Sequence, residues 1–338
     1  MVIASSPDIA KEFCKTHDRI FSGRHLPSVY HNLPGIMDSS IVLSPDCSKS
    51  WKLLRSIGQN CVFSSKAMES NAWIRKEKVM DLVNHLRTNK GQVANLEDMM
   101  FATLANIIST ALTSRNLFDI HGQAGDEYKM MMALVNEVIE KTTTLGLVDF
   151  LPILKGMDFW KLMRNQEMFT KVRDEITQAV EGDELNETLL SQCNYFQACI
   201  KETLRLHVPA PMLVPHRAIE TCKVNNYVIP KDSMVLVNAW AIARDPNYWE
   251  DATSFKPERF LDSKIGYRGT HFEYLPFGTG LRMCPGSGVA FKNIQMLVGS
   301  LLHYFDWSLP NGADSNYHRH KREVFYNSEE GKAIAFDS

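Results

Sequence analysis

The chain has 338 residues, 44% of them hydrophobic and 22% charged, with 37 basic side chains against 39 acidic ones. That composition belongs to a globular protein with the length for a large core, and it excludes a disordered chain. A net charge of −2 leaves no footprint for nucleic acid or an anionic membrane surface. The seven cysteines are odd in number and none is spaced as C-x-x-C, which argues against a secreted disulfide framework and against a structural zinc site.

Taken in chain order, Met1 to Ala4 is too short an apolar run for a secretory signal, and no stretch reaches the ~18 apolar residues of a membrane span. The expectation is a soluble or at most peripheral chain. Residues 6–17 read as a helix, with Ser6 as N-cap, Pro7 at the first helical position, and Ile9, Ala10 and Phe13 at helical spacing. Gly23, Pro27, Pro34, Gly35 and Pro45 punctuate residues 22–48 as a long loop, after which Asp46 or Ser48 caps a helix carrying Trp51 and Arg55. Residues 67–148 are mostly helical, residues 162–182 form an amphipathic helix, and residues 187–206 form another that ends before Pro209 and Pro211.

The texture then changes. Short β-type runs occur at Leu213–Val214, Lys223–Val224, Tyr227–Ile229 and Met234–Val237, with turn residues between them. Residues 285–303 return to helix. The fold class expected is mainly α (α+β), helix-rich with small antiparallel sheets, in a single domain over residues 1–338.

Chemistry concentrates in Phe277-Gly278-Thr279-Gly280-Leu281-Arg282-Met283-Cys284-Pro285-Gly286. The glycines allow a tight turn and a close approach to a flat group. Cys284 stands just ahead of a helix, whose positive end and free N–H groups favour an ionised sulfur. Phe277 is placed to cover that sulfur, and Arg282 to pair with an anionic side chain of a cofactor. The alternative, a glycine-rich turn with an incidental cysteine, has to explain five fixed residues in ten.

The pattern F-x-x-G-x-R-x-C-x-G, complete here in Phe277, Gly280, Arg282, Cys284 and Gly286, resembles the heme-binding signature of the cytochrome P450 family. The resemblance implies that Cys284 is the proximal thiolate and the iron ligand of a heme b, with Phe277, Gly278, Arg282 and Gly286 among the cofactor contacts. It extends to Trp51-x-x-x-Arg55, whose members imply contact with a heme propionate. It extends also to Glu202-x-x-Arg205 and Pro257-Glu258-Arg259-Phe260, which imply a buried structural cluster of Glu202, Arg205 and Arg259. His216 is similar to a position that reaches a propionate, while a strand-end histidine with another partner is an equal alternative. Met212, Leu213 and Val214 fall where relatives touch substrate. In the early loop, His25, Leu26 and Tyr30 are weaker candidates for the same role.

Residues 237–246 resemble plant members of the family, those of alkaloid and terpenoid metabolism in flavour. The implied activity is a heme-thiolate monooxygenase acting on a small apolar plant metabolite, by hydroxylation or oxidative coupling. The implied electron source is NADPH through a separate reductase, and the implied place is the cytosolic side of the endoplasmic reticulum. Two family segments have no counterpart in this text. One is the N-terminal anchor region. The other is the distal helix with its acid–alcohol pair: Lys141-Thr142-Thr143-Thr144 lacks the preceding glycine and acid, and the text joins near Trp160–Leu162. A truncated or splice-derived chain, catalytically inactive and still able to bind heme, is therefore the second reading. No G-x-S-x-G, Walker loop or G-x-G-x-x-G supports a hydrolase or a hydride-transferring enzyme.

Overall fold

The structure, a computed structural model, describes residues 1–26, 35–89, 94–118, 165–180, 184–307, 323–324 and 326–327. In chain order the elements are β1 (Val2–Ala4), α1 (Pro7–Lys11), β2 (Gly23–Arg24), α2 (Ile36–Ser39), α3 (Lys49–Gly58), α4 (Ser65–Ser70), α5 (Ala72–Thr88), β3 (Ala94–Asn95) and α6 (Leu96–Thr113). There follow α7 (Gln166–Ala179), α8 (Glu187–Gln192), α9 (Asn194–Leu206), β4 (His216–Arg217), β5 (Cys222–Val224), β6 (Tyr227–Ile229), β7 (Met234–Val237), α10 (Ala239–Ile242), α11 (Ser287–Tyr304), β8 (Asp306–Trp307), β9 (Glu323–Val324) and β10 (Tyr326–Asn327). Helices dominate and the sheets are small, as the sequence predicts. The contacts divide into two compact units, the first holding residues 1–64 and 201–288 of the described chain, the second residues 65–118, 165–200 and those from 289 onward.

In the first unit a four-stranded sheet runs β1-β7-β4-β2. It is mixed rather than antiparallel throughout, because β1 lies parallel to β7 with Val2 opposite Val235 and Ala4 opposite Val237. Three residues carry too little alternation to be read as a strand from sequence, and β7 supplies the missing order through its ladder. β4 pairs antiparallel with β7, and β2 antiparallel with β4, so that Arg24 stands directly opposite His216. Gly23 is required for that register: a Cβ there would lie 2.7 Å from the Arg217 carbonyl and 2.9 Å from the Ile219 side chain. Phe13, Phe21, Val235, Val237, Ile242 and Leu275 pack around the sheet, with Phe13 and Phe21 edge to face at 4.6 Å.

Local chemistry accounts for most boundaries. Ser6 Oγ accepts from Ile9 N, and α1 runs on into a π-helical turn over Glu12–Thr16. Ser48, not Asp46, caps α3, its Oγ accepting from Trp51 N at 3.2 Å. The expected loop over 22–48 contains β2 and α2, and its residues 27–34, including Tyr30, lie outside the described residues. The expected strand at Leu213–Val214 does not form: Leu213 has φ of 48°, a left-handed turn closed by Leu213 N donating to Ala210 O. The β5–β6 hairpin forms where expected, with Asn225 at φ 53° in its two-residue turn.

In the second unit α5 and α6 pack as a helical pair, burying Val79, Leu82, Val83 and Leu86. The single helix expected over 187–206 is two, broken at Cys193. The reason is capping from a distance: the Glu175 carboxylate of α7 accepts from Tyr195 N at 2.9 Å and Phe196 N at 2.8 Å, which starts a new helix there. Arg75 of α5 makes a bidentate pair with Glu187 at the head of α8, and Lys292 of α11 joins the same carboxylate at 3.0 Å. The Lys141–Thr144 neighbourhood, the text join near Trp160–Leu162 and most of the tail after residue 307 lie outside the described residues.

Candidate functional site

The site forms in the first unit, around the loop from Phe277 to Gly286. The loop closes on itself: Cys284 N donates to Phe277 O at 3.0 Å and Met283 N to Gly280 O at 3.1 Å. Thr279 Oγ1 donates to Gly269 O at 2.6 Å. Gly278 and Gly280 have φ of 69° and 70°, a backbone that L side chains avoid. They serve different ends. A Cβ on Gly278 would meet only Leu213 Cδ1 at 3.6 Å, so this glycine is needed for its turn and leaves open room above the loop. A Cβ on Gly280 would strike the Cys14 carbonyl and lie 2.8 Å from both Asp18 carboxylate oxygens. Gly280 thus lets the loop dock on the first helical segment.

Cys284 is solvent-accessible although protein surrounds it closely on its other sides. Burial raises its pKa, while the Gly286 N–H and the Arg55 charge lower it. The balance is a thiol held above its usual range. The N–H that favours the ionised sulfur is that of Gly286, directly ahead of α11 at Ser287, but burial outweighs it. The charge that favours thiolate comes from Arg55, a side chain far away in sequence. Phe277 turns its ring edge-on to Tyr267 at 5.8 Å and holds Cys284 through its backbone carbonyl. A further aromatic packs near the thiol: a Cβ on Gly286 would lie 3.3 Å from the Phe63 ring and 3.9 Å from Cys284 Sγ. Sequence reading missed Phe63 because no motif contains it.

Three guanidiniums gather near this loop. Arg55 Nη2 donates to Met283 O at 2.6 Å. Arg282 donates through Nε to Ser22 O and through Nη2 to Ser44 O, each at 2.8 Å. Arg24, placed by β2, donates through Nη1 to Val214 O at 2.8 Å, and its buried Nε has no partner. Trp51 underlies two of them: the Arg282 and Arg55 carbons lie 4.7 and 5.5 Å from its ring, and its Nε1 donates to Ile41 O at 2.8 Å. Among the described residues none of the three arginines has a salt bridge, and the hydrogen bonds just given all end on backbone carbonyls. Burial pushes the Arg24 pKa down to about 9, with further depression from Arg282. Arg55 is half-buried, and Asp46 and Cys47 support Arg282, but buried Arg24 keeps an Nε with no partner, and such a cation favours an anion from elsewhere.

His216, across the sheet from Arg24, is buried, and its Nδ1 lies 2.7 Å from Phe21 O. Burial, then the Arg24 charge, lower its pKa to about 3, so the ring is neutral and Nδ1 carries the proton it donates to that carbonyl. The second alternative for His216, a strand-end histidine with its own partner, thus has a named partner, and its Nδ1 is not spare for a propionate. Leu213 packs over Gly278, Val214 spends its carbonyl on Arg24, and Met212 is half-buried. His25 is exposed and Leu26 half-buried.

The three residues expected as a cluster do meet. Glu202 and Arg205 are fully buried and bidentate, at 2.7 and 2.8 Å, and Arg259 Nε reaches the same carboxylate at 3.1 Å. Arg205 also donates to the carbonyls of Ala243, Ala252 and Ser254, and Lys256 N donates to Glu202. Trp249 lies 5.2 Å from the Arg205 carbon. Every charge there is paired and all five donors of Arg205 are used, which is the condition under which a buried ion cluster is tolerated.

The chain is similar to known proteins along almost its whole length. The family profile described as Cytochrome P450 matches residues 1–161 and 157–334. Corytuberine synthase of Coptis japonica is 34% identical, over 92% of this chain and 78% of that protein. An (S)-N-methylcoclaurine 3'-hydroxylase of Papaver somniferum is 33% identical, over 93% and 80%. A zebra fish cytochrome P450 solved with abiraterone superposes with a TM-score of 0.70 at 20% identity, over 97% of this chain and 93% of that one, which shows the shared fold. With a heme-loop signature on an exposed thiol, a buried Glu–Arg–Arg cluster and matches along almost its whole length, the chain belongs to the cytochrome P450 family, whose members are heme-thiolate oxidoreductases.

Proposed function

We propose that this chain holds heme b through Cys284 and oxidises a small apolar plant specialised metabolite, by hydroxylation or by oxidative coupling. The observation that carries the reading is the group of Arg24, Arg55 and Arg282 beside an accessible thiol, with no carboxylate paired to them among the described residues. A planar cofactor bearing two carboxylates fits that charge, and the unpartnered Arg24 Nε offers a donor to it. When bound, the heme supplies the oxygen-activating chemistry, which a thiolate ligand promotes. The residues of the chain do the rest. Cys284 ligates, Arg55 stabilises its ionised form, and Arg24, Arg55 and Arg282 neutralise propionates. Phe63 shields the sulfur side, and Trp51 backs two guanidiniums. Met212, Leu213 and Val214 form the apolar segment offered to substrate, with Leu213 nearest the loop. The names of the two plant relatives, a corytuberine synthase and an (S)-N-methylcoclaurine 3'-hydroxylase, support a plant metabolite as substrate.

Electrons come, on this reading, from NADPH through a separate reductase at the cytosolic face of the endoplasmic reticulum. No helix among the described residues is long and apolar enough to cross a membrane. One observation favours the second reading, a single domain lacking the distal helix that holds heme without catalysis. The sequence has no acid–alcohol motif, and the family match falls into two stretches that meet at residues 157–161.

The test is a reduced, carbon monoxide difference spectrum of the chain expressed with heme supply, beside Cys284→Ser. A red-shifted Soret band in the first and none in the second is the expected result. Heme that binds equally in both, or not at all, overturns the assignment of Cys284. Turnover of a benzylisoquinoline or a terpenoid phenol with added reductase then separates the enzyme from the inactive heme binder.

A further inference from the structure

We propose that Asp18 is a positioning residue for the thiolate loop, acting by fixing the Gly280–Arg282 turn from outside the loop. The loop's internal bonds tie Cys284 to Phe277 and Met283 to Gly280 but leave the Leu281 N–H, at the exposed crown of the turn, with no partner inside the loop. Asp18 Oδ2 accepts from that N–H at 2.8 Å. The contact joins two segments 263 residues apart in sequence. It lies where glycine alone is tolerated, since a Cβ on Gly280 would strike Cys14 O and sit 2.8 Å from both Asp18 oxygens. Asp18 follows the π-helical turn Glu12–Thr16, whose end is fixed by His17 N donating to Glu12 O at 2.9 Å, so the carboxylate is presented from a braced backbone.

The turn that Asp18 holds sends out both functional groups of the loop. Arg282 leaves it toward Ser22 and Ser44, and Cys284 follows two residues later. A crown free to shift would loosen the sulfur and the guanidinium together. Burial raises the Asp18 pKa and the Leu281 N–H lowers it, as expected of a half-buried carboxylate whose value lies in that bond. The role rests on Cys284 being the heme ligand.

The experiment compares wild type, Asp18→Ala and Asp18→Asn. Hydrogen exchange is read on the heme-free chains at the peptide containing Leu281, with a peptide from residues 72–88 as the fold control. The carbon monoxide difference spectrum is read on the heme-loaded chains. Losing one charge-assisted hydrogen bond should speed exchange at Leu281 by roughly tenfold or more. In Asp18→Ala the thiolate-type band should fall in favour of the form without thiolate ligation, and Asp18→Asn, whose amide oxygen still accepts, should recover most of both. Exchange at the wild-type rate in a folded Asp18→Ala chain, or an undiminished band, overturns the role of Asp18. A wild-type chain with no thiolate band overturns the underlying heme reading instead, whatever the exchange shows.

Discussion

Replacing Glu202 by Gln tests how much of this fold depends on one buried charge. The carboxylate is fully buried and accepts four hydrogen bonds, from Arg205 Nε and Nη2, from Lys256 N and from Arg259 Nε, at 2.7 to 3.1 Å. Glutamine keeps the shape and one acceptor oxygen. Its NH2 group would face donors, and the charge opposing two guanidiniums is gone. Arg205 would remain a buried cation supported only by the carbonyls of Ala243, Ala252 and Ser254. Breaking a buried pair from one side costs about 3–5 kcal/mol, a large part of a total stability of about 5–15 kcal/mol. With a urea m-value of about 3 kcal/mol/M, that loss lowers the midpoint by about 1–1.7 M. Urea titration of the heme-free chain, followed by tryptophan fluorescence, reads it, and Trp249 beside Arg205 is a local reporter. Substituting all three charged residues by apolar side chains of similar size should cost less than the single change, because no charge is then stranded. A midpoint shift below about 0.3 M for Glu202→Gln, with m unchanged, refutes the reasoning.

Arg24→Leu should leave the heme-free chain as stable as wild type or slightly more so, since it removes a buried cation that Arg282 repels, while hemin titration should show affinity lower by about tenfold. Equal hemin affinity in the two chains would remove Arg24 from the anion site. His216 has a folded pKa of about 3 against an unfolded value near 6.5. The unfolded chain therefore takes up a proton first as pH falls, and the stabilisation from a neutral His216 is whole above about pH 6.5 and lost progressively toward pH 3. His216→Gln should flatten stability across that window by up to about 1.4 kcal/mol per pH unit, as read by urea midpoints at pH 7, 6 and 5. Gly278→Ala and Gly280→Ala share a positive φ penalty of about 1 kcal/mol, yet only the second meets backbone, so calorimetry should show the larger loss for Gly280→Ala.

The heme-loop signature, the Trp51–Arg55 spacing and the Glu202–Arg205 pair were all legible, because each is a local pattern whose members sit within one loop or one helical turn. The break at Cys193 was not, since the residue that caps the new helix, Glu175, lies 20 positions before Tyr195, whose N–H it accepts. The strand expected at Leu213–Val214 failed for the opposite reason. Its apolar residues suit a strand, but the chain must turn there, and Leu213 takes a left-handed conformation to do so. Strand β1 was invisible because a three-residue segment has no periodicity to show.

By itself the sequence determined the family, the cysteine at the centre of the signature loop and the identity of the buried ionic cluster, since fixed residues at short spacing report directly on local backbone needs. Tertiary structure alone decided what surrounds the sulfur. The Gly286 N–H and the Arg55 charge favour its ionised form, the Phe63 ring packs nearby, and Gly23 sets the register that brings Arg24 and His216 face to face. Such assignments depend on groups tens to hundreds of residues apart, and their energies arise from burial and from distance, neither of which is written along the chain.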